Sequence, residues 1–337
     1  MESGSARPTT TRLLPGAAEF FGRLAQSDYL VLGLCVVYLA SFAPFTPGLL
    51  SLENLGNLLQ SLLPLSIAAL GLTVVLIIGG IDLSITAVIG LTSVIGAKMM
   101  SSSHGWLADS AFAVPAALLA MLACGAAVGA LNGIGVTVLK LPPFILTLTT
   151  MMAVSGFAVW LTKSRNIGGL PEGFSSLWAS LWFATLLTAV IAALLHLLLA
   201  RSVFGRWCQA IGFNSRAARV SGVPIQGMTF AVYVICGVCA AVAGILFTAQ
   251  AETGSPVLGQ RVLLDVLGAT VLGGTSLFGG RGKIHWTLCG VLFLRLVDNS
   301  LNLLSLSIFT ITMVKGGVIL AAALLDAARS RLTISRK

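Results

Sequence analysis

The chain has 337 residues, of which 57% are apolar and only 9% are charged, and its mean hydropathy is +0.99. Soluble domains carry about 25% charged residues, so this composition excludes a soluble enzyme or a soluble binding module. The net charge of +9 would suit nucleic acid, but in a membrane protein it is typical of a basic cytoplasmic face. We therefore expect a lipid bilayer around the chain and no nucleic-acid partner.

Apolar segments recur along almost the whole chain. A membrane-spanning helix needs about 20 mainly apolar residues, and such segments occur at 29–48, 60–79, 83–101, 112–138, 143–162, 179–200, 228–250, 262–278, 284–303 and 306–325. The pattern predicts an all-α polytopic membrane protein with about ten transmembrane helices. It divides the chain into an N-terminal tail (1–28), one transmembrane domain (29–327) and a C-terminal tail (328–337). Residues 1–24 lack a continuous apolar core, so we expect no signal peptide.

The distribution of Lys and Arg sets the orientation, because cytoplasmic loops are enriched in these residues. With the N-terminus inside and ten crossings, only four of the 20 basic residues fall outside, namely Lys98, Lys163, Arg165 and Arg261. Arg295 and Lys315 fall within spans, and the other 14 face the cytoplasm. Both termini are therefore predicted to be cytoplasmic.

The second and third spans are separated by the sequence GGIDLS, residues 79–84. Two glycines and an acid within an apolar stretch predict a break, which must face protein or a water-filled cavity. Asp82 can cap the following helix; Asp82 and Ser84 are also candidates for lining a polar pathway, since intramembrane acids are commonly functional. The two roles are compatible.

The fourth span carries Gly125, Gly129 and Gly133 at steps of four. Small residues at this spacing let two helix backbones approach closely. We interpret the stripe as a helix-packing surface.

The longest predicted cytoplasmic connection is residues 201–227, which is basic and bounded by glycines. It contains a short possible helix at Ser215–Val220. About 27 residues is long for a simple connection. The segment is either an ordinary linker or a docking element, and its mixture of small and charged residues favours docking.

The glycine-rich stretch GGTSLFGGRGK, residues 273–283, resembles a phosphate-binding loop only superficially. Gly282-Lys283 is followed by Ile284, and Leu277 occupies the position where a P-loop needs glycine. We therefore expect no ATP site in this chain, and we interpret Arg281 and Lys283 as cytoplasmic anchors between two spans.

The ninth span carries Arg295 and Asp298 on one helix face, followed by Asn299 and Asn302. A lone arginine at mid-membrane costs about 2.5–3.5 kcal/mol, which pairing would reduce. A structural Arg295–Asp298 ion pair is one interpretation; a pathway lined by Asp298, Asn299 and Asn302 is the other. Lys315 has no neighbour of opposite charge in the sequence, so it either pairs across helices or snorkels.

Together these stretches resemble the permease subunits of bacterial ABC-type sugar importers, in the ribose, arabinose, xylose and galactose branch. The resemblance covers residues 50 to 327 and is carried, in order, by GGIDLS, LPPFILTLTTM, FGRWCQAIGFNSRAARVSGV, VLGGTSLFGG, NSLNLL and VKGGVIL. It implies a bacterial inner-membrane subunit that pairs with a second permease, a cytoplasmic ATPase and a periplasmic sugar-binding protein. ATP and Mg²⁺ would be bound by the ATPase, so no catalytic residue, metal site or cofactor is expected here.

In that family the connection between the sixth and seventh spans lies against the ATPase. The resemblance therefore implies a coupling role for the matching positions, which are Gly212, Asn214, Ala217, Ala218, Ser221 and Gly222. Two departures stand out. Leu263 replaces a common glutamate before Asp265, and the charged Arg295 and Asp298 stand where relatives tend to have small or uncharged residues.

Two other functions remain open from the residues alone. An ion-coupled secondary transporter would use acids within the membrane, for which Asp82, Asp265 and Asp298 are the candidates. A membrane-embedded enzyme would have to use His104, His196 and His285, which lack metal-ligand or triad spacing. The motif order favours the sugar permease over both.

Overall fold

The structure is a computed structural model that describes residues 29–103, 105–108 and 110–334, with side chains up to residue 324. The regular secondary structure of the described residues is helical, apart from one isolated β-bridge between Ile167 and Gly254. Thirteen α-helices follow in chain order: α1 Leu30–Phe42, α2 Leu52–Ile77, α3 Ile85–Met100, α4 Ala113–Thr137, α5 Pro143–Thr162, α6 Glu172–Trp178, α7 Leu181–Arg201, α8 Val203–Phe213, α9 Ser215–Val220, α10 Ile225–Ala251, α11 Leu263–Leu272, α12 Ile284–Leu303 and α13 Ile308–Ile334.

Each of the ten predicted spans contains a helix of the described chain. Five of these helices, α2, α4, α5, α7 and α10, are long and apolar enough to cross a membrane by length and composition. Helices α1, α3, α11 and the described part of α13 are apolar but shorter. The predicted N-terminal tail lies outside the described residues, and α13 continues to Ile334, past the predicted domain boundary at residue 327.

Helices α2 and α10 form the centre of the bundle. Their most apolar windows are 83% and 61% buried, whereas that of α5 is only 11% buried and lies at the periphery. Helix α4 packs on α10 through the glycine stripe. A Cβ atom on Gly125 would lie 2.4 Å from the Gly237 carbonyl oxygen, and one on Gly129 would lie 2.4 Å from that of Tyr233. Any larger side chain would separate the two helices.

The break after α2, the end of α8 and the glycine-rich stretch 273–283 meet at one end of the bundle. Following the predicted orientation, we call this the inner end of the bundle. The Gly280 N–H donates to the Ile77 carbonyl at 2.8 Å. A Cβ atom on Gly212 would lie 2.0 Å from that same carbonyl oxygen, and one on Gly279 would lie 2.9 Å from Gly79 Cα. The glycine-rich stretch 273–283 thus packs against both the break after α2 and the end of α8.

Candidate functional site

Four charged side chains from three helices form a network in the outer half of α12. Arg295 Nη1 donates to Asp298 Oδ2 at 3.3 Å, one turn along the helix. Lys315 Nζ on α13 lies 3.1 Å from Asp298 Oδ1 and 3.0 Å from Asp265 Oδ1 of α11. These side chains are between 9% and 21% exposed. Two positive and two negative groups make the network neutral, which lowers the cost of holding charge within a membrane.

The position of Lys315 follows from the amphipathic arrangement of α13. Ile311 is buried and Lys315, Val318 and Ile319 are partly buried, while most of the other described side chains of α13 are exposed. These four positions recur at helical spacing and face α11 and α12. Lys315 is thereby placed between Asp265 and Asp298, so it pairs across helices.

The two asparagines that follow Asp298 point in different directions. Asn299 and Asn54 of α2 exchange two amide hydrogen bonds, at 2.8 and 2.9 Å, and Asn54 also donates to the Leu49 carbonyl. Asn302 is exposed and donates to the Asp298 carbonyl at 2.7 Å. Asp298 and Asn302 therefore share one face of α12, whereas Asn299 joins α12 to α2. A pathway role for the three residues stays a prediction.

Asp82 lies in the break between α2 and α3 and is only 2% exposed. Its Oδ1 accepts from the Ser84 backbone N–H at 2.9 Å and from Ser84 Oγ at 2.6 Å. Ser84 Oγ in turn accepts from Asn132 Nδ2 of α4, and Asn132 Oδ1 accepts from Thr150 Oγ1 of α5, both at 2.8 Å. This polar chain fixes the break to two neighbouring helices.

The structure does not bring the two candidate pathway groups together. Asp82 and Ser84 lie near the inner end, whereas Asp298 and Asn302 lie in the outer half of α12. At the inner end, Thr147 Oγ1 and Tyr233 OH also donate to the Ile81 carbonyl. The backbone of the break is therefore held by side chains from α5 and α10, and a pathway role for Asp82 and Ser84 stays a prediction.

The segment between α7 and α10 forms two helices at the inner end. The sequence pattern predicts α9 at Ser215–Val220. Helix α8 is not among the predicted helices, although it is amphipathic and Ser202 Oγ caps its start by accepting from the Gly205 N–H at 3.4 Å. Asn214 begins α9, because its Oδ1 accepts from the N–H groups of Arg216 and Ala217 at 3.1 and 3.0 Å. Gly222 has a φ of +81°, which allows the chain to turn towards α10.

The residues of this segment divide into a supporting and an exposed set. Gly212 and Ala218 face the bundle, and Ala218 is only 4% exposed. On the other side Val220 is 91% exposed and Phe213 is 63% exposed. Exposed basic, polar and small residues surround them: Asn214, Arg216, Ala217, Arg219, Ser221 and Gly222. Such an apolar and basic projection suits contact with another protein.

Two histidines that are far apart in the sequence lie close together in the structure, which the sequence does not predict. The rings of His196 on α7 and His285 on α12 are 5.7 Å apart, and His104 lies outside the described residues. Within the described part of the chain, no three His, Cys, Asp or Glu side chains are grouped so that they could hold a metal ion.

Comparison with known proteins places these features in a family. The family model described as the permease component of the branched-chain amino acid transport system matches residues 54–323. That range includes the charge network, the break at Asp82 and the whole α8–α9 segment. No solved structure matches the chain.

Several similar proteins are sugar import permeases. The chain is 36% identical over 290 residues to the ribose import permease protein RbsC of Bacillus subtilis, covering 84% of this chain and 88% of the relative. It is 33% identical over 332 residues to RbsC of Escherichia coli K12, covering 94% of this chain and 98% of the relative. It is 32% identical over 317 residues to the L-arabinose transport system permease protein AraH of E. coli K12, covering 93% of this chain and 94% of the relative. The chain therefore belongs to this permease family, and its homologues are the permease components of ABC sugar importers.

Proposed function

We propose that the chain is the membrane-spanning permease subunit of an ATP-binding-cassette importer. It would move a monosaccharide or a similar small polyol across the bacterial inner membrane through about ten transmembrane helices. The observation that carries this proposal is the similarity to ribose and arabinose permeases along 84 to 94% of the chain. The substrate class is taken from those relatives, because the family description itself refers to amino acids.

The proposed assembly has four kinds of component. A second permease subunit, identical or different, would complete the membrane unit, and a periplasmic binding protein would deliver the sugar. A cytoplasmic ATPase would bind ATP and Mg²⁺, and this chain would contribute no catalytic residue. The exposed side of α9, with Val220 at its end, is the surface that supports contact with the ATPase.

An ion-coupled secondary transporter is less well supported. Such a transporter needs a carboxylate that is free to bind and release an ion. Asp265 and Asp298 are both occupied by Lys315, and Asp298 also by Arg295. Asp82 is bonded to Ser84 and almost completely buried.

Reconstitution tests the proposal directly. The chain is purified with an ATPase and a binding protein from the same organism and placed in liposomes, and uptake of radiolabelled D-ribose and L-arabinose is measured. We expect uptake of one of them that requires ATP on the ATPase side and the binding protein on the other. Uptake driven by a proton or sodium gradient without the ATPase would support the secondary transporter instead.

A further inference from the structure

The connection between α10 and α11, residues 252–262, is not helical, yet it lies alongside α3, which belongs to the third predicted span. The Ser255 N–H donates to Ser93 Oγ in the outer half of α3 at 3.1 Å. A Cβ atom on Gly259 would lie 2.0 Å from the Thr86 carbonyl oxygen and 3.1 Å from Ile89 Cβ, close to the start of α3. The connection therefore descends along most of the length of α3.

The depth follows from helix geometry. Ile89 and Thr86 lie 11 and 14 residues before Met100, where α3 ends. At 1.5 Å per residue, Gly259 is about 16 to 21 Å below that end. Two further residues can raise the chain by at most about 7 Å. Gln260 and Arg261 therefore lie well inside a hydrocarbon layer that is about 30 Å thick. The outer position that the charge distribution predicts for Arg261 is thus wrong.

This deep segment has an exposed face that carries polar groups. Val257 and Leu264 are 47% and 57% exposed, and Gln260 and Arg261 between them are exposed as well. Gly259 and Val262, which lie between these exposed positions, are buried, so the segment has one packed side and one exposed side. Within the described residues, the side chains of Gln260 and Arg261 have no hydrogen bond or ion pair with any other side chain or backbone group.

Lipid cannot be the environment of this face. Irregular backbone at membrane depth is tolerated only where protein or water covers it. An unpaired arginine facing lipid costs about 2.5 to 3.5 kcal/mol on insertion scales. The opposite side of the segment is already packed on α3, so the exposed side faces either water or the proposed second permease subunit. Two exposed polar side chains favour water.

We propose that the face formed by Val257, Gln260, Arg261 and Leu264 lines the water-filled path of the sugar, and that Gln260 and Arg261 contact its hydroxyl groups. The arginine offers five N–H donors and the glutamine offers both donors and an acceptor. This set suits a neutral ligand with several adjacent hydroxyl groups. Two apolar side chains on the same face suit the C–H side of a sugar ring.

The charge network gives this face a rigid neighbour. Asp265 follows Leu264 in the first turn of α11, and Lys315 holds it from α13. A polar face needs support from packed elements if it is to distinguish similar ligands. The assignment of a sugar as the ligand rests on the proposed function, whereas the water-filled path does not.

Cysteine accessibility tests the path without knowledge of the sugar. Single changes Gln260→Cys, Arg261→Cys and Leu264→Cys are made in the full chain, with the wild type as background for its six buried or partly buried cysteines. Each is treated in membranes with a small cationic methanethiosulfonate and with a maleimide carrying a 5-kDa polyethylene glycol. A residue in a deep water-filled path should react with the small reagent and not with the large one.

Two matched controls define the other outcomes. Lys163→Cys, on an exposed outer turn, should react with both reagents, and Val36→Cys, on the exposed face of α1, should react with neither. If the three test positions react with both reagents they lie on the outer surface, and if they react with neither they face lipid or a second copy. Either result would overturn the proposal.

A transport measurement tests the contact with sugar. In the reconstituted complex, Gln260→Leu and Arg261→Leu should each reduce sugar uptake per ATP hydrolysed by tenfold or more. Unchanged uptake per ATP in both variants would reject the contact. If the wild-type complex shows no ATP-dependent uptake of any monosaccharide or small polyol, the proposed function fails, while the accessibility result still decides whether the path exists.

Discussion

Lys315 is the residue on which the charge network depends, because it contacts both Asp265 and Asp298. Arg295 contacts only Asp298. Removing Lys315 leaves two carboxylates with one cation, whereas removing Arg295 leaves both carboxylates in contact with Lys315. The two basic residues are therefore unequal, although the sequence alone presents Arg295 as the principal partner.

Replacement of Lys315 by methionine should destabilise the protein more than replacement of Arg295 by leucine. Breaking a buried pair costs about 3–5 kcal/mol, and partial exposure of this network should reduce that to roughly 2–3 kcal/mol. The double change Lys315→Met with Asp265→Asn restores charge balance and should recover part of the loss. Thermal unfolding in detergent measures these three variants and the single change Asp265→Asn.

Lys163→Met, at an exposed position outside the network, serves as the control and should leave the unfolding temperature unchanged. Strictly additive effects of the Lys315 and Asp265 changes would mean that the two side chains do not interact in solution.

Among side-chain contacts, the sequence alone predicts only those between residues that are close together in the chain. Arg295 and Asp298 are three residues apart, so helical periodicity alone places them on one face. Asp265 and Lys315 are separated by 50 residues, and nothing in their spacing pairs them. The available signal is charge balance: apart from Arg281 and Lys283 in the connection, residues 262–325 carry two acidic and two basic residues.

In helix α9, residues that look equivalent in the sequence differ in their exposure to solvent. Ala217 and Ala218 are adjacent small residues of the coupling segment, yet Ala217 is exposed and Ala218 is buried against the bundle. The most exposed apolar side chain of this helix, Val220, is absent from the set that the family resemblance implies. The helical period and the packing partner together decide which residue reaches outward.

Val220→Glu should therefore uncouple the permease from its ATPase without unfolding it. The side chain is almost completely exposed, so a carboxylate there disturbs no internal packing, but it would face the surface on which the ATPase is proposed to dock. We expect sugar-dependent stimulation of ATP hydrolysis and uptake to fall at least tenfold, with normal yield of folded protein.

Val220→Leu should retain both activities, and Asn166→Glu, an added acid on an exposed outer turn, should have no effect on either. Wild-type stimulation in the Val220→Glu variant would remove α9 from the proposed coupling contact.

The close contacts of Gly212 with Ile77 and Gly280 at the inner end, which we call the inner junction, can also be tested. Gly212 leaves no space for a Cβ atom, since such an atom would lie 2.0 Å from the Ile77 oxygen and 2.3 Å from the Gly280 nitrogen. Both neighbours are backbone and cannot rotate away. Gly212→Ala should cost about 1–3 kcal/mol, as overpacking typically does, and should increase proteolysis near residue 280.

Gly227→Ala is the matched control, because a Cβ atom there would have no atom within 4 Å other than those of its own stretch of helix. Added helix propensity should make this change neutral or slightly stabilising. If Gly212→Ala is as stable as the wild type, the three segments do not meet as closely as the structure shows.

Long apolar runs explain why much of the helical architecture is predictable. The run at 228–250 corresponds to α10, Ile225–Ala251, and that at 143–162 corresponds to α5, Pro143–Thr162. Short helices such as α6 and α8 are not predicted because they are too short to form a continuous apolar run, although Gly205, Cys208 and Ile211 give α8 one buried face. The segment 262–278 contains only ten helical residues, since the glycines from Gly273 onward belong to the inner junction.

For the molecule as a whole, the bundle and the charge distribution together define an orientation that can be measured. The connections after α7 and before α12 meet at one end of the bundle, and both carry exposed basic residues, including Arg206 and Lys283. The loops around Asn166 and Ser305 lie at the other end of the helices that they join. Because the cytoplasmic side attracts Lys and Arg, the first end should face the cytoplasm.

Reporter fusions should therefore give a strict alternation. Green fluorescent protein, which becomes fluorescent in the cytoplasm, should be bright when fused after residue 222 and after residue 337. Alkaline phosphatase, which becomes active in the periplasm, should be active after residues 166 and 305. This result requires an odd number of membrane crossings between residues 166 and 222. It also requires an odd number between residues 305 and 337. An active phosphatase after residue 222 would place α9 away from any cytoplasmic ATPase and would reject both the ten-span topology and the coupling surface.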